Sequence, residues 1–500
     1  MLWLIPLFLL VAACSPQEKE PNSLRISLNT QPTTLDPRKA GDFVSSTLIC
    51  MIYDGLTRCL PGGGVEPALA EQVIISKDRK TYTFYLRKAA WSNGEPITAH
   101  DFEKSWKQTL SPPSPCGYLF YPIKNVEKYI HGKCSMNEVG IWALDDRTLH
   151  IELEEPTPYF YSLTAFPSFL PVPAHFEKNV YSGPFRIEKI VNQSEMILVK
   201  NQAYWNQSQI SLDQIHISIV PDEMTALQMF EKGELDWLGG SISPLPPDAL
   251  DNFKDQINYI PNSATTLCTF NTQTAPFNNI NLRKAFSLAI DRVEIVEKVT
   301  STGQIPAGTM LPPTLSNQKI QLFDPLLAKT LFDKALIEMQ VSPKTLEKLT
   351  LYYKPGQTEK RVAQTLQRQW KEVLGITIEI AQLDFKSHAH RLQNRDYQIA
   401  LATWIAQFDD PISILGRFKD KENLKNYPGW ESLEFVNILQ EAGQSKQREK
   451  ALALAEEVFA KELPLTPIYH WSSPSLCGSR IQEVGSTPSG GILFERASIR

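Results

Sequence analysis

The residues able to do chemistry are few and poorly grouped. His388-Ala389-His390 is the one spacing that looks like a metal pair. Residues two apart share a face on a strand but not on a helix, so the pair ligates only if its segment is extended. The carboxylate pairs Asp145-Asp146 and Glu154-Glu155 lie in a turn and beside a proline, which suits solvated faces better than general acid–base work. Gly62-Gly63-Gly64 follows Pro61 and reads as a turn, because no Lys-Ser/Thr follows to make a phosphate cradle. No GxSxG elbow and no HExxH helix occurs. Of the 7 cysteines, none forms a CxxC pair or a zinc-like spacing. These residues predict no catalytic, metal or cofactor site.

The elements that would carry such a site are well marked. Val65 to Gln108 is the clearest stretch. Val73, Ile74 and Ile75 are a β-branched run, and Ser76 to Lys80 turns the chain. Tyr82, Phe84 and Leu86 then alternate with polar neighbours, the period of a half-buried strand. Asn93-Gly94 is a turn, and Thr98 with Asp101 three residues on predicts a capped helix start. Phe102 and Trp106 share one face of that helix. Further along, Leu24–Ser27, His150–Glu154, Thr265–Asn271, Leu349–Tyr353 and Ile376–Ile380 read as strands. Leu282–Arg292, Thr358–Leu374, Phe385–Gln393 and Arg448–Leu463 read as helices. Gly375 suits a left-handed helix cap. The apolar run from Tyr397 to Ile405 predicts a buried strand of the parallel kind.

The chain has 500 residues, 42% hydrophobic and 21% charged, with a formal net charge of −5. That length exceeds one hydrophobic core and predicts two or three lobes. No long basic stretch invites nucleic acid. Met1 to Ala13 is an uncharged apolar run, too short to span a bilayer and suited to a signal peptide, although no Lys or Arg precedes it. Val11-Ala12-Ala13-Cys14 resembles a lipobox, with Cys14 the acylated residue and residues 14–22 the tether. The other six cysteines would then face an oxidising compartment, where Cys116 and Cys134, bracketing a loop-rich segment, are the preferred disulfide and Cys50 with Cys59 a second candidate.

The string from Ala68 to Lys107, ALAE…TYTFYLR…WSNGEPITAHDFEKSWK, resembles the signature region of extracytoplasmic solute-binding proteins that serve peptide and nickel ABC importers. Further matches are Pro32–Pro37, Tyr53–Leu56, Glu154–Pro173, Ser182–Phe185, Asn201–Trp205 and Asn271–Arg292. The resemblance implies an α/β, periplasmic-binding-protein-like fold of type II: a three-lobed, hinge-closing, two-domain clamshell. Lobe I would comprise residues 23–53, 167–265 and 472–500, the small lobe II 54–166, and lobe III 266–471. It also implies ABC permease subunits with their ATPases as partners, and an extracytoplasmic, lipid-anchored location on a bacterial membrane.

The same resemblance places the ligand at Thr403, Trp404, Ala406, Gln407, Phe408 and Asp409, with Asp42 and Phe43 lining the cleft from lobe I. In peptide binders this segment pairs with an extended peptide, so main-chain groups do most of the reading. Gln407 stands where the family has the aspartate that neutralises the peptide α-ammonium. Asp409, on the same face of an extended chain, or Asp42 from the opposite lobe could restore that charge. Otherwise the cargo is a γ-linked peptide such as glutathione, a modified cell-wall peptide, haem or a nickel chelate. Arg391 and Arg395 are candidate carboxylate anchors, by the bidentate capability of a guanidinium.

Overall fold

Two strands of 13 residues each, Asn258–Phe270 and Leu465–Cys477, run antiparallel through the middle of the molecule. The computed structural model describes residues 22–111, 116–173, 179–317, 323–444 and 447–500. The apolar leader, Cys14 and nearly all of the tether lie outside the described residues. Both long strands belong to one sheet. In spatial order it runs Glu379–Gln382, Thr350–Tyr353, Ile399–Ile405, Asn258–Phe270, Leu465–Cys477, Trp237–Gly239, Ser23–Leu28, Gln214–Ile219, Glu195–Lys200 and Phe185–Val191. Their pairing slips between Pro261 and Thr265 and again between Thr266 and Leu267. Such bulges bend and twist a strand pair locally.

Separate cores pack on the two ends of this sheet. The first joins Ser23–Leu28 and the helix Phe43–Ile52 to a four-stranded sheet (Ala70–Ile75, Thr81–Leu86, Thr148–Glu152, Ile141–Asp145) and to Ile481, Ile492 and Phe494 near the C-terminus. The second and third lie on the two sides of Ile399–Ile405: one under the helices Ile280–Leu288, Pro325–Met339 and Gln357–Leu374, the other around Trp404, Phe418, Trp430 and Phe459.

Local rules account for the elements. Tyr82, Phe84 and Leu86 are buried while their neighbours are half-buried, as the alternation requires. The helix Ala99–Leu110 starts with a capping box, in which the Thr98 amide donates to Asp101 Oδ2 at 2.7 Å. Phe102 and Trp106 are fully buried, and the Trp106 indole donates to the Phe169 carbonyl at 2.8 Å. Gly375, at φ 76°, caps the helix Gln357–Leu374.

Three expectations change. Asn258–Phe270 begins seven residues before the predicted Thr265, because Pro261 reads as a strand breaker and is accommodated at the irregular stretch of pairing. Ile399–Ile405 pairs antiparallel with Ala264–Phe270 along its whole length and parallel with Thr350–Tyr353 only at Ile399 and Ala400. A run buried on both faces looks the same from its sequence in either direction. The predicted helix Leu282–Arg292 ends at Leu288, and Asp291 starts a new turn by accepting from the Glu294 amide. Among the described residues, no helix is long and apolar enough to cross a membrane.

Candidate ligand-binding cleft

The strand Ile399–Ile405 ends at a cavity of about 400 Å³ between the first core and the third, within the range of small-ligand sites. Loops and element ends line it from three directions: 39–43, 405–409 and 487–489. Arg417 fixes the end of the strand. Its guanidinium donates to the Ile405 carbonyl at 2.9 Å and lies 4.3 Å from the Trp404 ring centroid. Burial pulls it down to about 10.

The next three residues each reach a different segment of the first body. Gln407 Nε2 donates to the Tyr118 hydroxyl, and its backbone amide donates to Ser413 Oγ at 2.7 Å. Phe408 stacks on Tyr159, with centroids 4.6 Å apart and planes 9° apart. Asp409 Oδ2 accepts from the Gly64 amide at 2.7 Å. The Gly62-Gly63-Gly64 turn, with φ of +77°, +125° and +76°, is what allows that approach. Asp410, one residue on, is held by Arg448 at 2.7 Å.

Of the residues expected at the ligand, Asp42, Phe43, Ala406, Gln407, Phe408 and Asp409 line this cavity. Thr403 and Trp404 do not. Thr403 turns its hydroxyl to Thr266, and Trp404 is buried against Tyr427 and Phe418 in the third core. Asp42 is already engaged as the N-cap of Phe43–Ile52, accepting from Ser45 N at 2.7 Å, Ser45 Oγ at 2.8 Å and Thr33 Oγ1 at 2.6 Å. Burial pushes its carboxyl up, but those hydrogen bonds outweigh burial and hold it below the usual range.

Arg391 and Arg395 are misplaced as carboxylate anchors. Arg391 pairs with Asp396 at 3.0 Å and packs on the Tyr352 ring, while Arg395 donates to the Lys421 carbonyl. Both precede the strand, whose seven residues put roughly 20 Å between them and the cavity at the usual rise. The Cys116–Cys134 disulfide is also absent. The Cys116 thiol faces the Ala40 carbonyl and the Cys134 thiol the Asn125 carbonyl, and Cys50 and Cys59 are unbonded too. His388 and His390 sit on the helix Phe385–Gln393 and diverge: His388 is buried, and His390 meets Asn394. Among the described residues, no three metal-ligating side chains converge.

The inner wall holds charged residues that the sequence did not flag as ligand-facing. Asp54 Oδ2 accepts from the Tyr204 hydroxyl and the Trp205 indole, each at 2.8 Å, and Oδ1 from the Gly55 amide at 3.0 Å. Arg58 donates to Glu66 at 2.7 Å and to Tyr204 at 3.0 Å. Glu495 lines the same wall with Cys50 and Cys59. Burial pushes its carboxyl up to about 7 and the Cys59 thiol up to about 12. The only local signal for Glu495 is a lone carboxylate directly after the apolar Ile492-Leu493-Phe494.

The family model of the bacterial extracellular solute-binding proteins, family 5 Middle, matches residues 64–426. The chain is 34% identical over 506 residues to the oligopeptide-binding protein OppA of Bacillus subtilis (strain 168), covering 96% of this chain and 93% of the relative. It is 30% identical over 498 residues to the dipeptide-binding protein DppE of the same organism, covering 94% and 90%. Among solved structures, it matches the unliganded open form of the periplasmic murein tripeptide binding protein MppA with a TM-score of 0.84 and 25% identity, covering 96% of this chain and 98% of that one. It matches Haemophilus influenzae OppA in complex with RPPGFSPFR with a TM-score of 0.77 and 26% identity, covering 97% and 100%.

Proposed function

The chain belongs to the bacterial extracellular solute-binding proteins, family 5, and from that premise we propose that it captures oligopeptides in the cleft and delivers them to an ABC permease. One observation carries the reading. The cavity lies where the strand Ile399–Ile405 ends, and loop segments line it on both sides, at 40–42 with 487–489 and at 406–409. Such a site reads a peptide mainly by its main chain. Relatives named for oligopeptide and dipeptide binding, alike over nine-tenths of the chain, support the same cargo. The protein acts by binding, without turnover.

Three lobes are proposed, with lobe I at 23–53, 167–265 and 472–500, lobe II at 54–166 and lobe III at 266–471. The hinge is the pair of long strands, whose bulged register at Pro261–Leu267 is where a strand pair bends most easily. Closure would bring Gln407, Phe408 and Asp409 of lobe III onto the ligand, and the permease would read the closed form. The apolar leader and Cys14 are proposed to place the protein outside the cytoplasm on a lipid anchor.

The test is native mass spectrometry of the protein as purified, followed by thermal-shift titration with tri- to pentapeptides, glutathione, haem and Ni²⁺. Peptides are expected in the native spectrum and as the stabilising ligands. Stabilisation by glutathione, haem or Ni²⁺ alone overturns the oligopeptide assignment.

A further inference from the structure

The charges on the inner wall of the cavity do not balance. Arg58 and Arg496 both donate to Glu66 Oε1, at 2.7 and 2.5 Å, and Asp54 accepts from Tyr204, Trp205 and Gly55. Two guanidinium groups therefore stand with two carboxylates, Glu66 and Asp54, and that set is neutral. Glu495 is the surplus anion. Among the described residues it makes no ion pair, and its Oε2 is shielded from solvent with no hydrogen-bond partner. The thiols beside it, Cys50 on the helix Phe43–Ile52 and Cys59 on the strand Thr57–Cys59, are kept neutral by burial, and Glu495 adds to the rise of both. Lys39, the other cation on the cavity wall, is turned to Asp36 at 3.9 Å and is mostly exposed.

A buried carboxylate without a partner is costly unless it takes a proton or a cation. With no protein cation paired to it among the described residues, the proton is what remains. We propose that the inner end of the cavity, at Glu495, Cys50 and Cys59, is a specificity pocket for a cationic side chain of the bound peptide, with the Glu495 carboxylate as counter-ion. This rests on the peptide reading above and adds to it a preference for lysine- or arginine-type residues at one position. An ammonium entering the pocket displaces the proton from Glu495 and supplies the hydrogen bonds that Oε2 lacks. An acidic side chain would meet Glu495 and Asp54 and be rejected, and a neutral one would leave the carboxyl protonated.

The experiment uses the full-length protein, freed of bound ligand by unfolding and refolding, in calorimetric titrations with tripeptides. Lysine, norleucine or glutamate is placed at each position in turn against alanine elsewhere. In one register lysine is expected to bind about tenfold or more tighter than norleucine, as for a partly desolvated charge pair. Glu495→Gln should collapse that ratio to about one. Equal affinities for lysine and norleucine in every register, or a ratio that survives in the variant, overturn the pocket while peptide binding stands. No binding of any tripeptide or longer peptide overturns the peptide reading and the pocket with it. Should the variant fail to fold, the wild-type ratio at about pH 5.5 and about pH 8 decides, because protonating Glu495 must shrink it. The charged and titratable groups facing Glu495 are Asp54, Arg58, Arg496 and the two thiols. A ratio unchanged between the two pH values overturns the pocket.

Discussion

Replacing Glu495 by glutamine keeps the shape of the inner wall and removes one titrating group, so the unliganded protein should change in stability in a pH-dependent way. Burial raises this carboxyl from 4.5 to about 7 in the folded state. Between those values the folded chain holds a proton that the unfolded chain has lost. Stability contributed by this site therefore falls as pH rises through that window, and the full cost is felt above about 7. At roughly 1.4 kcal/mol per pH unit, the wild type carries about 3 kcal/mol of destabilisation at alkaline pH that the variant lacks. Below about pH 4.5 both forms are neutral at this position, and the two proteins should coincide. With an unfolding entropy of roughly 2.1 cal/mol/K per residue over the 500 residues, 3 kcal/mol corresponds to about 3 °C. Thermal unfolding of both stripped proteins from about pH 4.5 to about pH 8.5 reads it directly. The variant should be level with the wild type at the acid end and about 3 °C more stable at the alkaline end. A difference that is flat with pH, or a variant less stable at alkaline pH, would refute the reasoning, because Glu495 would then be ionised and paired in the folded protein.

Three further changes test the rest of the site. Gln407→Asp should tighten binding of free-amine peptides by about tenfold or more, read by calorimetry, and unchanged affinity would place the peptide amine elsewhere. Gly63→Ala should weaken peptide binding about fivefold or more, since its φ of +125° disfavours a side chain and the new Cβ would stand 2.5 Å from Asp409 Oδ2. A variant that binds as the wild type would mean that the Gly64–Asp409 contact does not form around ligand. Arg391→Ala and Arg395→Ala should leave peptide affinity within about twofold of wild type, because both side chains are committed before the strand begins. A larger loss in either would restore them as anchors.

What the sequence showed best was what local spacing controls. The Thr98–Asp101 capping box, the alternation at Tyr82–Leu86 and the Gly375 cap each depend on residues a few positions apart, and each appears where its pattern falls. The candidate site was legible at its rim, at Ala406 to Asp409, where the resemblance supplied the place. It was illegible at the inner wall, where Glu495 meets Cys50, Cys59 and Arg58 from more than four hundred positions away. Nearness in the chain misled at Arg391 and Arg395, since a strand carries the chain away at about 3.3 Å per residue. It misled again at Cys116 and Cys134, whose thiols turn to different carbonyls.

On the proposed reading, rim and floor divide the recognition between them. At the rim Gln407 and Phe408 meet a hydroxyl and a ring, and Asp409 already takes a backbone amide. None of these contacts depends on the identity of a cargo side chain. If Gln407 stands at the amine anchor, it brings no negative charge there, and Asp42 is engaged in capping its helix. A buried carboxylate without an ion pair among the described residues also lies at Glu495, on the part of the cavity wall built by the first core. On that reading, a cation bound there would anchor the ligand to the first core, and the segment 406–409 would meet the peptide through main-chain and aromatic contacts. The free energy favouring closure would then come from contacts common to all peptides, and the choice among peptides would be made at the inner wall.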